Sequence, residues 1–270
     1  MTMGYQFFLI EKKAQVATLW LNRPEKRNFM NWHFWEELPE AIAEINNDDS
    51  IKVFIVAAKG ASFSIGLDLP DFVERFYWLG DADGSAENNL RVEELVLTMQ
   101  KGMRALADSP KPSIAAVQRH CIGGGLDLVA ACDIRYASSD VIFSLREVKV
   151  AIVADMGSLQ RLPHIIGEGA TRELALTGRD VGADEALRLG LVTRVLPDKE
   201  ALYAAALKTA EEMASNPAVV MRGVKYVLDK QRGMDIGRSL DFVALYNGSY
   251  LQSKEFVALV KGFAERKKKS

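Results

Sequence analysis

A glycine run between a strand and a helix constrains this chain more than any other stretch. The residues are Cys121-Ile122-Gly123-Gly124-Gly125-Leu126-Asp127. Residues 114–117 before the run predict a strand, and residues 126–131 after it predict a helix. Three residues without side chains let the backbone turn sharply and leave amide N–H donors free at the helix start. Such a joint belongs to an α/β layering.

The same run carries the first of three acids. Asp127 follows the glycines directly, Glu147 lies further on, and Asp155 comes after that. Asp127 sits in Gly-Gly-Leu-Asp-Leu-Val-Ala-Ala and Asp155 in Val-Ala-Ile-Val-Ala-Asp-Met-Gly. Acids are rarely buried among apolar neighbours unless they are paired or protonated. Desolvation and close like charges both raise a carboxyl pKa. An acid tuned in this way exchanges protons near neutral pH, which suits proton transfer on carbon. The chain therefore reads as an enzyme.

The remaining pattern extends the α/β alternation. Residues 5–10 and 15–21 predict a hairpin turning at the polar Glu11-Lys12-Lys13. Asn31 is placed to cap a helix reaching about Ile45, with Trp32, Trp35, Leu38, Ile42 and Ile45 on one side. Residues 53–58 read as a buried strand and residues 90–106 as a helix, broken at Ser109-Pro110-Lys111-Pro112. Residues 134–137 and 141–144 read as further strands, residues 183–190 as a short helix, and 192–196 as a strand. From residue 199 the pattern is helical: 199–215, a helix from Asn216-Pro217 to about Gln231, 236–247 and 253–268. This predicts a core over residues 1–198 and a helical region over 199–270, packing on a partner subunit or as a lid on its own core.

Composition excludes several function classes. The chain has 270 residues, 49% hydrophobic and 26% charged, with a formal net charge of −2. That is the balance of a globular protein with no global attraction to nucleic acid or an acidic membrane. The cysteines Cys121 and Cys132 lie in apolar surroundings and read as buried free thiols of a reducing compartment. His33, His120 and His164 are scattered, so no metal-ligand pattern is present and each reads as a surface or structural residue. No apolar run reaches the roughly 18 residues of a membrane span. The first ten residues do not form a signal peptide, and Glu265-Arg266-Lys267-Lys268-Lys269-Ser270 is not a peroxisomal address. A cytoplasmic protein is expected.

A second glycine loop, Ala61-Ser62-Phe63-Ser64-Ile65-Gly66-Leu67-Asp68-Leu69, also follows a strand. Backbone N–H donors from two such loops can converge on one developing oxyanion and stabilise the enolate of a thioester. With the loop Asn22-Arg23-Pro24-Glu25-Lys26-Arg27-Asn28 and with Gln160-Arg161-Leu162-Pro163, the two glycine loops resemble the enoyl-CoA hydratase/isomerase (crotonase) family. The resemblance runs from about residue 5 to 265. Asp127, Cys132-Asp133-Ile134-Arg135-Tyr136, Glu147-Val148 and Ala154-Asp155-Met156-Gly157 are similar to the Δ3,5-Δ2,4-dienoyl-CoA isomerase branch.

The resemblance implies a spiral of repeated ββα units with a C-terminal helical region, assembled as a homotrimer or homohexamer. It implies that the N–H groups of Leu67 and Gly124 grip the thioester oxygen. It places Arg23, Lys26, Arg27, Phe29, Ser64, Ile65, Gly66, Asp68, Gly123 and Gly125 around the acyl-CoA. It implies no metal or redox cofactor, CoA arriving with the substrate.

Two departures from the hydratases of the family matter. A typical hydratase carries Glu at the positions of both Asp127 and Glu147, and usually Gly at that of Asp155. A third acid in place of Gly suits a long-range isomerisation: one acid removes the proton beside the thioester and another delivers one at C6. Which of Glu147 and Asp155 is the base stays open at this point, with Asp127 tuning the pair. Phe72, Val73, Phe76 and Tyr77 at helical spacing, beside the polar stretch 80–89, offer either a home for the acyl tail or ordinary core packing. Two rivals stand: 2-enoyl-CoA hydration on the same scaffold, and RNA binding, for which Lys267-Lys268-Lys269 is the one hint.

Overall fold

The computed structural model describes residues 4–80 and 84–267, with side chains to residue 262. The chain opens with the antiparallel hairpin β1 (Phe8–Lys13) and β2 (Val16–Leu21). The turn falls at Ala14 and Gln15, with Ala14 at φ 51°, rather than at Glu11–Lys13. Those three polar residues stay in β1 because it is an edge strand whose outer positions face water. Helix α1 (Trp32–Asn47) buries Trp35, Leu38, Ile42 and Ile45.

Asn31 occupies the cap position of α1, but its side chain makes no capping bond, and its Oδ1 is buried without a partner. The first turn is satisfied from a distance instead: the Trp32 N–H donates to Asp71 Oδ2 at 2.8 Å. Strand β3 (Val53–Ala58) follows, then α2 (Leu69–Arg75), the long α3 (Ala86–Ala107) and β4 (Ser113–Val117). Of the polar stretch 80–89, residues 81–83 lie outside the described residues, and 86–89 form the first turn of α3.

The next segments repeat one pattern. Strand β4 is followed by β5 (His120–Ile122) and helix α4 (Gly124–Ala130). Strand β6 (Ile134–Ser138) is followed by β7 (Ile142–Ser144), a short 3-10 turn Glu147–Val150 and helix α5 (Ser158–Ile166). Each pass leaves its first strand in one sheet and its second in another, which is the spiral of ββα units. Helix α6 (Glu168–Thr177), strand β8 (Val181–Gly182), helix α7 (Ala183–Arg188) and strand β9 (Arg194–Leu196) complete it. The large sheet runs β1-β2-β3-β4-β6-β9, parallel from β2 onward, and the small one β5-β7-β8.

All residues of β2, β3 and β4 are buried, as expected for parallel strands covered on both faces. Alternate residues divide between two cores. Leu19, Leu21, Phe54, Val56, Ala115 and Val117 face α1, α3 and α4, whereas Val16, Trp20, Val53, Ile55, Ile114 and Ala116 face the other way. The second face is covered by helix α8 (Lys199–Ala214), through Leu202, Ala206, Ala210 and Ala214. Small residues at that spacing let α8 lie close on the sheet, so the sheet's core extends past residue 198.

Helices α9 (Ala218–Lys230), α10 (Ile236–Tyr250) and α11 (Lys254–Lys267) follow. Lys225 of α9 is buried and pairs with Asp133 at 2.8 Å, tying the helix to the core. Helix α10 buries none of its residues. Cys121 and Cys132 are buried free thiols, as expected from sequence. Among the described residues no helix is long and apolar enough to cross a membrane.

Candidate active site

The two glycine loops meet by backbone pairing. Ser64 N–H donates to the His120 carbonyl, and Ile122 N–H returns a bond to the Ser64 carbonyl, so the loop runs beside β5. Met30 pairs in the same way with Gly66 and Asp68. Gly66 has φ +90°, and a Cβ there would stand 3.0 Å from the Ile122 carbonyl oxygen. Only glycine fits that approach. It brings the Leu67 and Gly124 amides to one edge, and neither N–H meets a protein acceptor among the described residues.

This edge opens into a cavity of about 420 Å³ lined by Phe29, Ile65, Leu67, Gly124, Asp127, Glu147 and Asp155, among others. All three acids singled out in the sequence therefore reach one space. Asp127 is buried in the first turn of α4, and its Oδ1 accepts the Ser158 N–H at 2.6 Å, at the start of α5. Burial raises its pKa to about 6, against the pull of Ser158.

Glu147 begins the 3-10 turn that follows β7. A Cβ at Gly123, whose φ is +54°, would stand 3.1 Å from Glu147 Oε1, so the glycine leaves the room that this carboxyl occupies. Its other oxygen, Oε2, is sealed from solvent and has no hydrogen-bond partner. Burial first, and then the nearby Asp127 charge, raise the Glu147 pKa to about 7. Asp155 lies in an irregular stretch before α5, and burial raises its pKa as well. Three desolvated carboxyls thus surround one cavity, each with its pKa raised by burial, the pattern by which proton-transfer sites are recognised.

Other expected contacts fall differently. Arg27 lines the cavity with Phe29, Ile65, Gly66 and Gly123, whereas Arg23, Lys26, Ser64, Asp68 and Gly125 do not. Arg23 is committed to Asp68 at 2.5 Å and to the Phe29 carbonyl at 3.0 Å, so this pair shapes the loop from behind. Ser64 Oγ donates to the Asn28 carbonyl at 2.8 Å and accepts from Gly66 N, fixing the second loop internally. Gly125 packs against the Ser64 side chain.

The acyl-tail stripe also resolves. Phe72 and Phe76 pack on the core, while Val73 and Tyr77 are exposed, and none of the four lines the cavity. The apolar wall comes instead from Trp35, Leu69, Met99, Ile152 and Met156. Sequence reasoning missed these, because they come from four segments brought together only by folding. It also left His120 as a structural histidine. His120 faces the cavity, with Nδ1 at 3.1 Å from both Ser62 Oγ and Arg27 Nη2. Burial and the neighbouring Arg27 lower its pKa. Among the described residues no group of three or more His, Cys, Asp or Glu side chains is arranged to hold a metal ion.

The family described as enoyl-CoA hydratase/isomerase matches residues 11–270. The mitochondrial Delta(3,5)-Delta(2,4)-dienoyl-CoA isomerase of Rattus norvegicus is 40% identical over 256 residues, covering 94% of this chain and 78% of the relative. A short-chain-enoyl-CoA hydratase of Clostridium acetobutylicum is 31% identical, covering 96% and 95%. The crystal structure of an enoyl-CoA hydratase from Bacillus anthracis superposes with a TM-score of 0.85 at 28% identity, covering 97% of each chain. This chain belongs to the enoyl-CoA hydratase/isomerase family.

Proposed function

We propose that the chain isomerises 3,5-dienoyl-CoA to 2,4-dienoyl-CoA. The observation that carries this reading is the sealed, unpartnered Glu147 Oε2 in a cavity shared with a third acid, Asp155. The dienoyl-CoA isomerases at about 40% identity support it. The Leu67 and Gly124 N–H groups receive the thioester oxygen and favour the enolate over the ground-state carbonyl. Glu147 lies against Gly123, next to that amide, so it takes the C2 proton. The electron pair spreads over C2, C4 and C6, and Asp155 gives its proton to C6. The product has double bonds at C2 and C4, conjugated with the thioester, and the proton count balances. Burial, with the Asp127 charge adding to it, keeps the Glu147 proton affinity high enough for the transfer. Arg27, on the cavity wall, offers a cation for a CoA phosphate, and Phe29 an apolar surface beside it.

An ultraviolet assay tests the reading directly. Growth of the 2,4-dienoyl chromophore from 3,5-dienoyl-CoA is the expected result. Turnover of 2-enoyl-CoA alone would replace it with hydration, the activity named for the Clostridium relative.

We also propose a trimer or a hexamer built of trimers, on the evidence of the apolar residues that α10 leaves exposed. Ile236, Leu240, Leu245 and Tyr250 are all more than half exposed. Large contiguous apolar surface marks an interaction site. Light scattering should return a mass three or six times the 29.9 kDa of one chain, and a monomer would remove the proposal.

A further inference from the structure

Asp155 sits in a stretch, 151–157, with no regular structure between the 3-10 turn and α5. A proton donor held by such a segment has no helix or strand ladder to fix it. The ends of the stretch are tied locally: Ile152 N–H donates to the Glu147 carbonyl at 3.0 Å, and Arg161 Nη1 reaches the Met156 carbonyl at 3.4 Å. The backbone of Asp155 itself is held from elsewhere. Gln100 Nε2, on α3, donates to the Asp155 carbonyl at 2.7 Å. The other end of the same amide is engaged too, since Gln100 Oε1 accepts from Arg104 Nη2 at 2.9 Å. With Oε1 facing a guanidinium, the amide can present only its NH2 to Asp155.

The residue before Gln100 gives this tie its meaning. Met99 is buried and forms part of the apolar cavity wall. One turn of α3 thus carries both the surface that contacts an acyl chain and the clamp on the acid. We infer that Gln100 is a positioning residue, which fixes Asp155 relative to the acyl chain through the Asp155 carbonyl. This rests on the isomerase reading. It assigns Gln100 to the C6 end of the reaction only, because Glu147 and the glycine loops do not depend on α3 for their hydrogen bonds.

Two variants separate this role from general stability. Gln100→Ala removes the clamp, and Gln100→Glu keeps the side-chain length but, when ionised, offers no donor. Both should lower kcat for isomerisation about ten- to a hundred-fold, the scale of a misplaced reacting group. Exchange of the C2 proton with deuterated water, which needs only Glu147 and the two amides, should stay within about two-fold of wild type. Crystal structures of the two variants should show the Asp155 backbone displaced by about 1 Å or more. Unchanged isomerisation would overturn the inference, and so would exchange and isomerisation falling together. If the wild-type protein does not isomerise the dienoyl substrate, the isomerase reading fails on its own. The position of Asp155 in the variant crystals then still decides whether Gln100 holds it.

Discussion

Asp155→Asn is expected to remove the 2,4-dienoyl product signal, lowering kcat by about three orders of magnitude, the size of a general-acid contribution. The substitution is nearly isosteric, and the bond from Gln100 goes to the backbone carbonyl, which Asn retains. The loop should therefore keep its place, and KM should change little. The informative comparison is with the thioester end. Glu147 still takes the C2 proton in the variant, so C2 exchange with solvent should continue while no proton reaches C6. A variant that isomerises within about ten-fold of wild type would show that the C6 proton travels by another route.

Much of this site was legible in the sequence because its chemistry conflicts with its surroundings. Asp127 among Gly, Leu, Val and Ala reads as a buried acid with a perturbed pKa. It is buried, with its pKa raised to about 6. The glycine loops were legible for the related reason that a missing side chain must leave room for something: at Gly123 it is the Glu147 carboxyl, and at Gly66 the Ile122 carbonyl. The inner strands β2, β3 and β4 followed from largely apolar runs, each close to its expected bounds.

What stayed hidden depends on distant pairings that no local pattern encodes. Strand β8 has two residues and exists only because β7 offers it an edge. Arg23 looks like a free cation in the loop sequence, yet it faces Asp68, forty-five positions away. The cap of α1 comes from Asp71 rather than from the adjacent Asn31, which propensity favours. Helix α8 reads as the start of a separate helical region, since its apolar residues include many alanines. Those alanines are what allow it to lie on the sheet and join the core. Gln100 carried no signal at all, because its partner is a backbone carbonyl fifty-five residues on.

Glu147→Gln is expected to abolish isomerisation and C2 exchange together, by about four orders of magnitude, the upper range for a general base. It is the one acid change that silences both ends of the reaction, because no enolate forms without removal of the C2 proton. The wild-type pH dependence follows from the raised pKa values. Asp127 at about 6 and Glu147 at about 7 share one cavity, so the acids titrate as a coupled set. Below this range Asp127 and Glu147 are protonated and no base is present. Burial raises Asp155 as well, and once alkali removes the proton it delivers to C6 the rate should fall again, so kcat/KM should trace a bell.

The same burial sets the stability of the fold. The unfolded Glu147 ionises near 4.5, whereas in the folded protein it does so only near 7. Below 4.5 both states are neutral and burial costs nothing electrostatically. As pH rises through 7 the folded state must carry a desolvated charge, and stability falls relative to a neutral residue. Glu147→Gln should therefore raise Tm at pH 8 by about 5 °C, and the gain should vanish by about pH 4. An inactive variant that is also more stable in alkaline solution would locate the cost of catalysis in this carboxyl. An inactive variant of unchanged or lower Tm at pH 8 would mean that the Glu147 carboxylate is already compensated in the folded protein, and the proposed origin of its basicity would fail.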